Sequence, residues 1–181
     1  MTSRMELKLK EPRRLPPIVS EQDFQTFINS IHLGADPGGN PGGFRDRLVC
    51  LMLKEGGFRI GELLGMRMDD LEFGKQGVHV RFRSDNENGA RAKGGYGNDR
   101  FVHLPADLLG LLDVYITEVW IEVNPCTDHL WLVLKKEAKS REGRSTCATA
   151  LSVAAVEKMF QYYSKKSGVT LHPHMLRHTH F

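Results

Sequence analysis

The spacing of apolar residues changes from a helical period to a strand period and back again along this chain of 181 residues. Apolar residues three and four positions apart predict amphipathic helices, whereas strict alternation predicts a half-buried strand. Alternation is confined to residues 78–104, and helical spacing precedes and follows it. This order predicts an α+β fold that is mainly helical, with helices packed around a small antiparallel β-sheet.

Three helices are expected before the strands. The first begins after Ser20, which forms a variant capping box with Asp23, and it ends before Gly34. The second covers residues 44–54 and is stopped by a pair of glycines, and the third covers residues 60–66.

Two apolar runs predict a β-hairpin. In the first, Val78, Val80 and Phe82 alternate with polar or charged residues, and the second occupies residues 101–104. A long, glycine-rich polar loop separates the two runs. Helical spacing then returns over 106–123 and again over 151–166.

Composition indicates one soluble domain with a short appendage. The chain is 40% hydrophobic and 26% charged, a balance that allows a sizeable core. Residues 1–17 are basic and contain proline, which predicts a linker or basic arm, and residues 18–181 form the domain. No stretch approaches the roughly 20 apolar residues of a membrane span, so we predict a cytoplasmic protein without a membrane partner.

The cysteines and the net charge give weaker indications. Cys50, Cys126 and Cys147 form no CxxC pair, so we expect neither a disulfide framework nor a cysteine zinc site, and a reducing compartment. The net charge of +3 with a pI near 8.8 favours a polyanionic partner only if the positive charge is concentrated on one face.

The C-terminal segment LHPHMLRHTHF concentrates groups that suit phosphate chemistry. Pro173 favours a helix start, and a helix places His174, Arg177 and His178 within about one turn of each other. A guanidinium binds phosphate oxygens in a bidentate way, and a neighbouring imidazole donates a hydrogen bond or exchanges a proton. The segment therefore predicts a phosphoryl-transfer site.

The histidines of this segment leave other interpretations open. His174 and His178 have the i, i+4 spacing of zinc ligands, but no HExxH motif is present. A capped helix with satisfied histidines is the simplest alternative. We predict no metal and no cofactor. The histidines concerned are His172, His174, His178 and His180.

Two further segments carry basic residues with candidate roles. Arg59 lies between a glycine turn and the predicted third helix, where it either binds phosphate or forms a salt bridge to Glu62 or Asp70. The polar loop between the strands is either a solvated turn or a DNA-binding hairpin whose lysine gives a proton to a leaving oxygen. Its candidate DNA-binding residues are Arg91, Lys93 and Arg100.

These segments, in this order, resemble motifs of the tyrosine recombinase or phage integrase family. GGFRIGELLGMRMDDL resembles the family's first box, AKGGYGNDRFVHLP its hairpin, and HPHMLRHTHF the start of its second box. The resemblance covers residues 20–181. It implies that Arg59, His174 and Arg177 are catalytic residues that bind the scissile phosphate, and that Lys93 is the catalytic lysine that protonates the 5′-hydroxyl leaving group.

The resemblance also implies an activity and partners. In that family a tyrosine attacks a DNA phosphate, and a 5′-hydroxyl of another strand resolves the 3′-phosphotyrosyl link without a metal or nucleotide. The implied enzyme is a DNA strand transferase that acts in site-specific recombination, integration or transposition. The implied partners are double-stranded DNA and other recombinase protomers, which form a tetrameric synapse in the family.

The nucleophile departs from the family pattern. In the family the tyrosine follows the HxxRH helix, and this sequence ends at Phe181 without one. Tyr162 and Tyr163 precede the motif and are interpreted as core or surface aromatics. We therefore expect a catalytic domain truncated before its nucleophile, a fragment or a decayed gene, and no strand cleavage by it. A non-catalytic DNA-binding module or regulator and a metal-dependent hydrolase stay open as alternatives.

Overall fold

The structure, a computed structural model, describes residues 18–33, 40–84, 99–134 and 147–179. Within these ranges, helices surround a small antiparallel sheet, which confirms the predicted α+β class. The helices are α1 (Glu21–Asn29), α2 (Pro41–Glu55), α3 (Ile60–Leu64), α4 (Ala106–Tyr115), α5 (Val153–Ser167) and α6 (Pro173–His178), and the strands are β1 (Leu71–Glu72), β2 (Gly77–Val80) and β3 (Arg100–His103).

The helix starts follow the capping residues in the sequence. Ser20 Oγ accepts a hydrogen bond from the backbone N–H of Asp23 at 3.0 Å and donates one to its carboxylate at 2.7 Å, as the variant capping box predicts. At α2, Asn40 is the N-cap, and its side chain accepts from Gly43. Helices α1, α2 and α5 therefore begin where the side chain of Ser20, Asn40 or Ser152 satisfies an otherwise unpaired N–H group.

The sheet has the strand order β1-β2-β3, and both neighbouring pairs are antiparallel. The predicted hairpin is confirmed by the register, in which Val78 lies opposite Val102. Phe82 lies outside the strand, because its backbone N–H donates to the side chain of Asp99 at 3.0 Å instead of to the ladder. The sequence analysis missed β1, whose two residues are too few to show an alternating pattern.

One hydrophobic core joins the helices. Phe27 of α1 stacks on Phe160 of α5 with ring centroids 5.4 Å apart, and Tyr115 of α4 stacks on Trp131 at 5.6 Å. Helix α2 packs against both α4 and α6, so it connects the C-terminal helix to the rest of the core. Each fully buried large apolar side chain stabilises the fold by roughly 1.5–3 kcal/mol before entropy is counted.

Two elements differ in length from the prediction. Helix α4 ends at Tyr115 and continues as a wider turn over Ile116–Trp120, in which the N–H of Ile121 donates to the carbonyl of Ile116 at 3.1 Å. Helix α5 begins two residues later than the predicted 151–166 segment, because Ser152 caps it. In the described ranges, no helix has the length and apolar character needed to cross a membrane.

The expectation of unpaired cysteines was wrong for two of the three. Cys126 and Cys147 form a disulfide with Cα atoms 5.4 Å apart, and Cys50 is buried in the core. Two backbone hydrogen bonds join the segments at this point, from Cys126 N to the Ala148 carbonyl and from Ala148 N to the Asn124 carbonyl. The spacing of the cysteines along the sequence does not predict this pairing, because the two residues come close together only in the folded structure.

Candidate phosphate-binding site

One buried carboxylate lies at the centre of the candidate site. The side chain of Glu62, on α3, is fully buried, and three arginine side chains lie within ion-pair distance of it. They come from the three segments that the sequence analysis treated separately, and they are Arg59, Arg100 and Arg177. Folding therefore brings residues distant in sequence into one cationic cluster.

A glycine turn positions Arg59 at the start of α3. Gly57 has a φ of +59°, which favours glycine, and a Cβ on Gly56 would lie 2.0 Å from the ring of Phe58. The backbone N–H of Arg59 donates to Glu62 at 2.8 Å, and its guanidinium donates to the same carboxylate at 2.8 Å. Of the two salt bridges considered for Arg59, the structure contains the one to Glu62.

Arg100 enters the cluster from the sheet. It is the first residue of β3, opposite Val80, and not part of the preceding loop as the sequence suggested. Its guanidinium forms a bidentate pair with Glu62, at 3.1 Å from Nη1 to Oε1 and 2.8 Å from Nη2 to Oε2. The sequence analysis did not predict the contact of Arg100 with Glu62, because this contact depends on the register of the strands.

Arg177 reaches the cluster from α6. The buried Leu176 fixes this helix against the core, and Arg177 Nη1 then lies 3.5 Å from Glu62 Oε2. This nitrogen is buried and makes no hydrogen bond within the described part of the chain. Most buried polar groups in proteins are hydrogen-bonded, so Arg177 Nη1 keeps donor capacity that the fold does not use.

The electrostatics of the cluster favour a bound anion. Burial raises the pKa of Glu62, but hydrogen bonds from Arg100 and from the backbone and side chain of Arg59 outweigh it and lower the pKa to about 2. Burial, together with the charges of Arg59 and Arg100, lowers the pKa of Arg177, which Glu62 opposes. Three guanidinium groups face one carboxylate, so the cluster has an excess of two positive charges.

Two histidines, His174 and His178, lie on α6, the helix that carries Arg177. The Nε2 atoms of His174 and His178 are 3.0 Å apart, so one donates a hydrogen and the other accepts it. His174 and Pro173 also line a cleft of about 240 Å³, together with Ile60 of α3. In the ranges that the structure describes, no group of three or more His, Cys, Asp or Glu side chains is placed to hold a metal ion, and His180 lies outside them.

Comparison with known proteins identifies the family. The profile of the phage integrase family matches residues 19–181. The chain belongs to the phage integrase family. Transposase A from transposon Tn554 of Staphylococcus aureus is 29% identical over 174 residues, which make up 96% of this chain and 42% of the transposase. Tyrosine recombinase XerA of Pyrococcus furiosus is 27% identical over 170 residues, which make up 94% of this chain and 48% of the recombinase.

Solved structures share the fold of this phage integrase family member. The crystal structure of XerA recombinase superposes with a TM-score of 0.63 at 20% identity, over 94% of this chain and 49% of that one. The integrase of transposon Tn1549, in complex with transposon right end DNA, gives 0.62 at 19% identity, over 94% and 54%. The chain thus spans less than half the length of the curated relatives named above.

The hairpin residues of this integrase family member fall partly outside the described ranges. Arg91 and Lys93 lie there, as do the 1–17 arm and His180. The base of the hairpin is described. Phe82 and Asp99 are hydrogen-bonded across it, and Arg83 pairs with Asp70.

The two neighbouring tyrosines of α5 have different environments. Tyr163 is buried, and its hydroxyl donates to Asp46 at 3.3 Å, whereas Tyr162 is 61% exposed. Burial and the negative charge of Asp46 raise the pKa of Tyr163 well above its usual value. These environments agree with their interpretation as a core and a surface aromatic.

Proposed function

We propose that this chain forms the catalytic domain of a tyrosine recombinase and holds one DNA phosphodiester between Arg59 and Arg177 for transesterification. One observation carries the proposal. Two arginines that are far apart in the sequence contact the same buried carboxylate, within a cluster that has excess positive charge. The anion that we propose between them is a single phosphodiester, as the resemblance to tyrosine recombinases implies.

The donors that remain suit a phosphate in its transition state. A guanidinium has five N–H donors, and Arg59 uses one of them on Glu62, while its side chain stays 40% exposed. Arg177 is 25% exposed. Donors fixed in advance around the non-bridging oxygens stabilise the charge that develops there, and this effect often contributes the most to catalysis.

The chemistry that we propose is a balanced exchange of phosphoester bonds. A tyrosine hydroxyl loses its proton to solvent as its oxygen bonds to phosphorus, the bond from phosphorus to the 5′ oxygen breaks, and Lys93 gives that oxygen a proton. His174 donates a hydrogen bond to the phosphate. Attack by a 5′-hydroxyl then reverses these steps on another strand. The two arginines supply the positive charge, so we propose no metal and no cofactor.

The proposed partner is double-stranded DNA, with other recombinase protomers in a tetrameric synapse. The Tn1549 integrase above is seen with transposon right end DNA, and the XerH site-specific recombinase, which matches at a TM-score of 0.58 and 22% identity, is seen bound to its palindromic difH substrate; both support the proposal. We propose the cytoplasm as the location, and Arg91, Lys93 and Arg100 as groups near the DNA.

Binding to labelled duplex DNA, measured by fluorescence anisotropy at several salt concentrations, tests the role of the arginines. We expect Arg59→Ala and Arg177→Ala each to weaken binding about 10-fold and to reduce the salt slope by roughly one unit. Lys75→Ala is the charge-matched control, because Lys75 is 69% exposed and pairs with Glu72 on the sheet. An equal loss in all three variants would contradict the proposal, because net charge alone would explain it.

A second measurement separates the alternatives. Side-chain ¹⁵N NMR of Arg59 and Arg177 during titration with dimethyl phosphate is expected to show both guanidinium groups shifting with one binding constant. A DNA-binding module without phosphate chemistry predicts that the two do not shift together. Stoichiometric zinc by elemental analysis, with hydrolysis that chelators abolish, would replace the proposal with a metal-dependent hydrolase.

A further inference from the structure

We propose that Arg100 is a positioning residue, which neutralises Glu62 so that Arg59 and Arg177 direct their free donors to the phosphodiester. This inference rests on the proposed function and adds a residue that acts through Glu62. In this inference the main role of Arg100 is to neutralise Glu62 and not to contact DNA directly.

The geometry distinguishes Arg100 from the other two arginines. Arg100 is bonded to both oxygens of Glu62, at 3.1 and 2.8 Å. Arg59 donates one side-chain hydrogen bond, and Arg177 Nη1 is 3.5 Å away, outside hydrogen-bond distance. Bidentate pairing is the strongest arrangement of a guanidinium and a carboxylate, so Arg100 is the main counter-ion of Glu62.

The sheet fixes Arg100 in this position. Residues directly opposite each other in an antiparallel pair lie on the same face, so Arg100 shares a face with the buried Val80. The next residue toward the hairpin, Asp99, accepts the hydrogen bond from Phe82. Arg100 therefore connects the base of the hairpin to the carboxylate of α3 and holds both in a fixed relation.

Loss of Arg100 would change the partner of Arg177. The Glu62 carboxylate is fully buried, and burial of a charge without a partner is costly. Arg177 Nη1 is already 3.5 Å away and lacks a hydrogen bond within the described residues. Without Arg100, Arg177 is the nearest side chain able to pair more closely with Glu62. Less of its positive charge would then be available to bind the phosphodiester.

A double-mutant cycle tests the inference through DNA affinity. We expect Arg100→Gln to weaken duplex binding about 10-fold in the original sequence and less than about twofold in a Glu62→Gln background, because no carboxylate is left to neutralise. Arg100→Lys keeps the charge but loses the bidentate geometry, so we expect an intermediate loss that Glu62→Gln also removes. If thermal melting shows that Arg100→Gln is not folded, the Arg100→Lys variant is used for the test instead.

A pH titration gives a readout that a purely structural role would not change. The charged groups that contact Glu62 in the described ranges are Arg59, Arg100 and Arg177. Without Arg100 the carboxylate loses its main counter-ion, so Glu62 should become protonated at a higher pH than in the original protein, and we expect Arg100→Gln to regain affinity as the pH falls through that range. The double variant is expected to follow the pH dependence of Glu62→Gln.

Arg81→Gln is the matched control. Arg81 and Arg100 are both 38% exposed, and each pairs with a buried carboxylate, Asp70 in the case of Arg81. Its effect is expected to be the same in both Glu62 backgrounds. An equal loss for Arg100→Gln in both backgrounds, or no loss in either, would overturn the inference. If Arg59→Ala and Arg177→Ala weaken binding as proposed, such a result rejects the role of Arg100 alone; if they do not, the proposed function fails first.

Discussion

Arg83 donates two hydrogen bonds to the carboxylate of Asp70, at 2.6 and 2.8 Å. Asp70 is completely buried and also accepts a hydrogen bond from the backbone N–H of Arg67 at 2.9 Å. It therefore joins the turn before β1 to the chain segment that leads into the hairpin. The ion pair of Arg83 and Asp70 thus lies at the base of the hairpin.

We expect Asp70→Asn to destabilise the fold by about 3 kcal/mol, because the Arg83 guanidinium, only 14% exposed, loses its buried charged partner and keeps only the exposed Asp69. Urea denaturation followed by circular dichroism measures this change. Asp69→Asn is the control, because Asp69 contacts the same arginine at 3.2 Å but is 68% exposed, and we expect less than about 0.5 kcal/mol. Equal effects of the two substitutions would show that the buried pair has no special role.

The stability of the fold is expected to depend on the ionisation of Glu62. Its pKa is lowered to about 2 from an ordinary value of 4.5. A lowered pKa contributes stability that is fully present above pH 4.5 and is lost as the pH falls toward 2, by up to about 3 kcal/mol. The Glu62→Gln variant lacks this pH-dependent contribution to stability. Urea midpoints at pH 7, 4 and 3 should fall more steeply for the original protein than for Glu62→Gln, and parallel curves would contradict the assignment.

Local sequence patterns were sufficient for most of the fold. Ser20 marks the start of α1, and the alternation around Val78 predicts the hairpin, because both signals depend on residues a few positions apart. The strand β1 and the wide turn after Tyr115 were not predicted. Strand β1 is too short to show an alternating pattern of apolar residues. The wide turn changes the hydrogen-bonding pattern without changing the apolar spacing.

The candidate site was only partly predictable, for a different reason. Arg59 and Arg177 were identified from motifs, and Glu62 was expected beside Arg59 from its position three residues later. The contact of Arg100 with Glu62 depends on the register of β2 and β3, which residues 81–99 separate along the chain. Contacts of this kind are set by tertiary structure, and the pairing of Cys126 with Cys147 is another example.

The Cys126–Cys147 bond predicts a measurable thiol count. In denaturant, Ellman's reagent should detect one thiol per chain, that of Cys50, in air-oxidised protein, and three after reduction. A bond that closes a loop of 21 residues typically contributes about 3 kcal/mol, so reduction should lower the urea midpoint. The urea midpoint of the Cys147→Ser variant should equal that of the reduced protein. In the cytoplasm, which we propose as the location, thiols are kept reduced, so protein alkylated during cell lysis should carry three labels. Three thiols in air-oxidised protein would contradict the bond.

The glycine turn before Arg59 gives a graded prediction. Gly57 has a φ of +59°, which alanine adopts at a cost of about 1 kcal/mol and which asparagine tolerates better. Gly57→Ala should therefore lower the free energy of unfolding by about that amount or shift the turn, and a shift would displace the backbone N–H and guanidinium of Arg59 from Glu62. We expect Gly57→Ala to weaken duplex DNA binding several-fold and Gly57→Asn to retain most of it. If the two variants bind DNA equally and unfold at the same urea concentration, the backbone conformation at Gly57 is not what positions Arg59.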